Sequence, residues 1–78
     1  MKFIKVTKYD SYRNKLDSCY VNKDSIHCLK HSSIDATKDI IKLGVTSSFE
    51  LIDLIYNNNP ADTIIVSSLE DFADMISE

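Results

Sequence analysis

The sequence predicts a small α+β domain: a mostly antiparallel sheet of about five strands with two helices, in the order β-β-β-β-α-β-α. Three observations lead there. Apolar and polar residues alternate with period two near the N-terminus, from Lys2 to Tyr9. Near the C-terminus, Leu69, Phe72, Ala73 and Ile76 recur at helical spacing. Between them, short β-branched runs are separated by clusters of Ser, Asp, Asn and Thr. At 78 residues the chain is expected to form a single domain, residues 1–78.

The first strand is read over Lys2–Tyr9, with Ile4 and Val6 on one face and Lys5, Thr7 and Tyr9 on the other. The polar stretch Asp10–Asp17 is a loop. Ser18–Asn22 and Ile26–His31 follow as strands around Lys23-Asp24. A tight hairpin there would put Val21 opposite Ile26, Tyr20 opposite His27 and Cys19 opposite Cys28, gathering Cys19, Val21, Ile26 and Cys28 on one apolar face. After a polar link over Ser32–Thr37, Asp39–Val45 is expected to be a fourth strand.

The second half echoes itself. Thr46-Ser47-Ser48-Phe49-Glu50 returns twenty residues later as Val66-Ser67-Ser68-Leu69-Glu70. Ser47 with Glu50, and Ser67 with Glu70, have the spacing of a capping box, in which each side chain satisfies an orphan backbone N–H. A helix is therefore expected over 49–56 and another from Leu69 onward. The alternative for 49–56 is a strand, but its adjacent apolar pairs break strict alternation. Asn57-Asn58-Asn59-Pro60 would stop that helix, and Thr63–Val66 would be the fifth strand, reached by a right-handed parallel crossover.

The helix over 49–56 would be apolar over most of its circumference, with only Glu50, Asp53 and Asn57 as a polar stripe. So small a domain has little interior to enclose it, and chains of this size commonly need a disulfide, a metal or self-association as a supplement. Either the segment is sandwiched between the sheet and the last helix, or its spare face meets another chain. On the second, favoured reading, Phe49, Ile52, Leu54, Ile55 and Tyr56 are the expected contact surface for a protein partner, most simply a second copy in a homo-oligomer.

Charge is divided unevenly. The first 31 residues hold seven basic residues and three acids, the remainder two lysines and nine acids, giving +4 and −7 within a net −3. Lysines along strand edges and acids at helix starts account for much of this. The alternative is a nucleic-acid surface built from Lys2, Lys5, Lys8, Arg13 and Lys15 with Tyr9 and Tyr12, a basic sheet with aromatics for stacking. The isoelectric point of about 5.2 runs against it.

Catalytic and cofactor patterns are poorly represented. Cys19, His27, His31 and Cys28 are the residues with ligand potential, yet on a strand His27 and His31 point away from Cys28, so four ligands do not converge. The same geometry separates a Cys28 nucleophile from a His27 base. The one glycine, Gly44, provides no phosphate-binding glycine loop. No cofactor, catalytic residue or small-molecule substrate is expected. The N-terminal residues interleave lysine with apolar side chains, unlike a signal peptide, and no apolar run approaches a membrane span; a cytoplasmic setting with reduced cysteines is expected.

The segments Lys5-Val6-Thr7, Val21-Asn22-Lys23-Asp24-Ser25-Ile26 and Val66-Ser67-Ser68-Leu69-Glu70-Asp71-Phe72 resemble those of very small bacterial and phage accessory proteins of the FlbD type. The resemblance covers most of the first 31 residues and the last 17; the middle segment is additional. It implies a small non-enzymatic cytoplasmic accessory protein, with no catalytic residues to carry over. The function expected from the chain as a whole is a protein-interaction or regulatory accessory module, acting by self-association or by docking on a larger partner.

Overall fold

The computed structural model of the chain describes residues 2–57 and 62–77. Five strands, β1 (Phe3–Asp10), β2 (Lys15–Asn22), β3 (Ile26–His31), β4 (Glu50–Tyr56) and β5 (Asp62–Val66), form one sheet; helix α1 (Thr37–Lys42) precedes β4 and helix α2 (Leu69–Ile76) follows β5. The sheet order is β2-β1-β5-β4-β3, and every neighbouring pair is antiparallel. The α+β class, the five-stranded sheet and the two helices are as the sequence predicts.

Two segments exchange roles relative to expectation. Residues 39–42 belong to helix α1, and 43–45 follow it; none of them is strand. There Ala36 and Ile40, four residues apart, turn inward while Ile41 remains 54% exposed. Asp39 lies in the first turn and Lys42 in the last, matching the helix dipole. Gly44, at φ +106°, ends the helix and donates its N–H to the Ile41 carbonyl at 3.0 Å. Among the described residues beyond its two chain neighbours, no atom lies within 4 Å of the place a Cβ would occupy, so Gly44→Ala tests the backbone alone. It is expected to cost about 1 kcal/mol in chemical denaturation, because side chains disfavour positive φ.

Residues 49–56, expected as a helix, form strand β4 and the residue before it. This strand is covered on both faces: Ile52 and Leu54 pack on one, Leu51 on the other. A strand buried on both sides reads as a continuous apolar run, which is why strict alternation is missing. The parallel crossover falls with it, since β4 and β5 pair antiparallel, Ile52 beside Ile64. Asn58, Asn59 and Pro60, expected to stop the helix, lie outside the described residues.

The hairpin expected around Lys23-Asp24 is also absent. Lys23–Ser25 form a 3₁₀ turn, capped where the Asn22 side chain accepts the Asp24 N–H at 3.0 Å. That turn sends β2 and β3 to different neighbours, so Cys19 stands opposite Val6 and Cys28 opposite Ile55, at opposite ends of the strand order. The connection forces curvature. Four Cα steps from Asn22 to Ile26 reach about 14 Å at most, whereas the edges of a flat five-stranded sheet lie about 19 Å apart. The sheet therefore curls. Val21 from β2 and Ile26 and Leu29 from β3 meet in one core with Val6, Ile52, Leu54 and Ile64, closed by Phe72 of α2.

On the outer, convex face, Tyr9, Ala36 and Ile40 form a second cluster with Leu16, Val45, Phe49, Leu51 and Ile65. Helix α1 thus covers part of the outer face and leaves the rest open.

Candidate interaction surface

The two sets of surface residues expected from the sequence fare differently. Of the apolar set, Ile52 and Leu54 are fully enclosed (0% exposed) and cannot meet a partner. Phe49 and Ile55 are half-buried, Phe49 within the α1 cluster. Tyr56 packs against the inner core, and its hydroxyl donates to Asp62 Oδ2 at 2.8 Å. Burial, then the Asp62 carboxylate, raises the Tyr56 pKa well above the ordinary tyrosine value. The segment is a strand and not a docking helix, and its Ile52 and Leu54 belong to the core.

Most of the basic set is committed within the chain. Lys8 Nζ lies 3.3 Å from Asp62, Arg13 Nε 3.7 Å from Asp10 and Lys15 Nζ 3.8 Å from Asp17. Tyr9 is buried and donates its hydroxyl to Asn14 Oδ1 at 2.8 Å. That bond fixes the β1–β2 turn, where Asn14 takes a left-handed φ of 50° and Asp10 accepts the Tyr12 N–H. Lys2, Lys5 and Tyr12 remain exposed, Tyr12 completely.

What the sequence reading missed is an aromatic corner on the outer face. Phe3 is 58% exposed and Tyr20 69%. In the β1–β2 ladder Phe3 pairs with Asn22 and Lys5 with Tyr20, so the two rings occupy diagonal positions on one face beside Lys5. The alternation of β1 held the signal: if Ile4 and Val6 face the core, Phe3 faces outward with Lys5.

A second feature is at the start of α2. Glu50, on β4, accepts the Leu69 N–H at 2.6 Å, and His31 Nε2 on β3 lies 3.5 Å from the same carboxylate. Ser68 is the helix cap, accepting the Asp71 N–H at 3.0 Å. Neither predicted capping box forms: Glu50 belongs to a strand, and the second cap falls one residue later than Ser67. The Leu69 N–H bond, opposed by loss of hydration and aided by His31, holds the Glu50 carboxyl below the usual carboxylate range. A depressed carboxylate stabilises the fold above its unfolded-state pKa, and that contribution is lost as pH falls through the lowered folded value. Acidification should therefore lower the protection of the amides in the first turn of α2, read as exchange relative to the intrinsic rate at each pH. Glu50→Gln, which keeps an accepting oxygen without the charge, should flatten that dependence; an unchanged profile would refute the role of Glu50.

Among the described residues, no group of three or more His, Cys, Asp or Glu side chains is placed to hold a metal ion, and no helix is long and apolar enough to cross a membrane. Comparison with family models, curated proteins and solved structures finds no match for the chain.

Proposed function

We infer that this chain is a non-enzymatic interaction or regulatory accessory module, acting through protein contact at the β1–β2 corner. One observation carries the reading: Phe3 and Tyr20, large side chains that normally seek burial, stand exposed on one face at the end of the sheet order, where β2 is the edge strand among the described residues. Aromatic residues are favoured at the centres of protein interfaces, where they bury much area at little entropic cost. The resemblance to small accessory proteins supports the same reading.

A photo-crosslinking residue at position 20 tests it in cells of the native host, with Lys42 on the far side of α1 as the control position. Protein adducts, whether homomeric or heteromeric, are expected at position 20 and not at position 42. Adducts at neither position, or equally at both, would refute the reading. Nucleic-acid binding at the basic sheet is the runner-up, favoured by the exposed Lys5 between the two rings. It predicts nucleic-acid adducts and an affinity for single strands that falls steeply with salt. The internal pairing of Lys8, Arg13 and Lys15 argues for the protein reading.

A further inference from the structure

We propose that the partner at this corner is a second copy of the chain, joined by antiparallel pairing of β2 with β2 about a two-fold axis at Ser18, which makes one ten-stranded sheet. The proposal rests on the interaction reading above and names its occupant.

The backbone defines the template. The Lys23 N–H donates to the Lys2 carbonyl at 2.7 Å, and these residues continue the β1–β2 register. Hydrogen-bonded pairs alternate along an antiparallel ladder, so Val21, Cys19, Asp17 and Lys15 bond inward to β1. The backbone groups of Leu16, Ser18 and Tyr20 then point out from the edge. β2 has eight residues, with no proline and no bulge in its pairing with β1. Edges of that kind are templates for another strand. The opposite edge is a poorer one, because the register of β3 shifts between Ile26 and Cys28 and α2 packs against it.

Side chains select the register. Directly opposed residues share a face, and pairing must use the outward groups. A two-fold axis at Ser18 satisfies both, placing Ser18 opposite Ser18 and Leu16 opposite Tyr20 of the second copy. Each exposed Tyr20 then covers Leu16, which already packs with Tyr9 and Ile40 in the outer cluster, so that cluster continues across the junction. The same register carries the second copy's 11–14 turn, with its fully exposed Tyr12, towards Asn22 and Phe3. Charge permits the approach: Lys15 and Asp17 neutralise each other within each strand, 3.8 Å apart.

The purified full chain tests this by light scattering across a concentration series, with residue-resolved amide exchange. At high concentration the mass should double and the amides of Leu16, Ser18 and Tyr20 should become protected, as those of Asp17, Cys19 and Val21 already are in the monomer. Ser18→Pro removes an outward N–H and leaves the bonds to β1 in place, so it should restore the monomer. If that variant fails to fold, Ser18→Cys with Cys19→Ser and Cys28→Ser provides a second test. It should form an intermolecular disulfide at position 18, since opposed Cα atoms of a hydrogen-bonded pair lie about 5.5 Å apart. A chain monomeric at every concentration, or a dimer whose 16, 18 and 20 amides still exchange freely, overturns the proposal. With either result, heteromeric adducts at position 20 in the host would leave the interaction reading standing, while absence of protein adducts would remove both.

Discussion

Ile52→Ala should destabilise the chain by about 2–5 kcal/mol, the range for deleting most of a fully enclosed aliphatic side chain. Ile52 is 0% exposed, paired with Ile64 on β5 and His31 on β3, and packed in the core that α2 closes. At roughly 0.05–0.15 kcal/mol per residue, a chain of this length has about 4–12 kcal/mol of stability in total. One such substitution therefore consumes a large share of it, and at the low end of the range unfolds the domain. Denaturant titration followed by circular dichroism measures the loss directly. Tyr20→Ala is the proper contrast: a large but exposed side chain, expected to change monomer stability by no more than about 0.5 kcal/mol. Ile52→Ala with native-like stability would mean that residue 52 faces out, and would return the 49–56 segment to the role of a docking surface.

The different fates of these side chains show what was readable in the sequence. Strand β1 and helix α2 each pack one clear face on the core, and their periods survive in the sequence: Ile4 and Val6 for the strand, Leu69, Phe72 and Ile76 for the helix. Strand β3 was legible as a short run between polar stretches, but its face was not: the register shift between Ile26 and Cys28 turns Leu29 to the core and leaves Cys28 exposed. The middle of the chain was not legible, because β4 is covered on two sides. Its residues then lose the alternation that distinguishes strand from helix, and eight apolar-rich residues satisfy either pattern. The hairpin error has a separate origin. Nothing local in Asn22-Lys23-Asp24-Ser25 reveals that the two strands it joins belong to opposite ends of a curled sheet; that follows only from the closure of the whole sheet. The aromatic corner was legible in principle, since Phe3 takes the outward parity of β1. Tyr20 was not, because its exposure depends on β2 standing at the end of the sheet order among the described residues.

The adjacent isoleucines of α1 allow the exchanged assignment to be tested at single residues. In the helix Ile40 is 0% exposed and packs with Tyr9 and Ala36, while Ile41 is 54% exposed. Ile40→Ala should cost about 2–5 kcal/mol, since it opens a cavity between α1 and the outer face of the sheet. Ile41→Ala should be nearly neutral, within about 0.5 kcal/mol, since its side chain is largely solvated and alanine is the better helix former. A strand over residues 39–45 also turns neighbouring side chains to opposite faces, so the pair needs a third member. Ala36 lies one helical turn before Ile40 and is itself buried. Ala36→Asp should be as damaging as Ile40→Ala, because it would bury a carboxylate against Ile40 with no partner for it. In an extended chain, residue 36 would lie about 13 Å from residue 40, and the two sites would be energetically independent. A double-mutant cycle decides between these geometries. Coupling between positions 36 and 40 is expected for the helix, and strict additivity would contradict it.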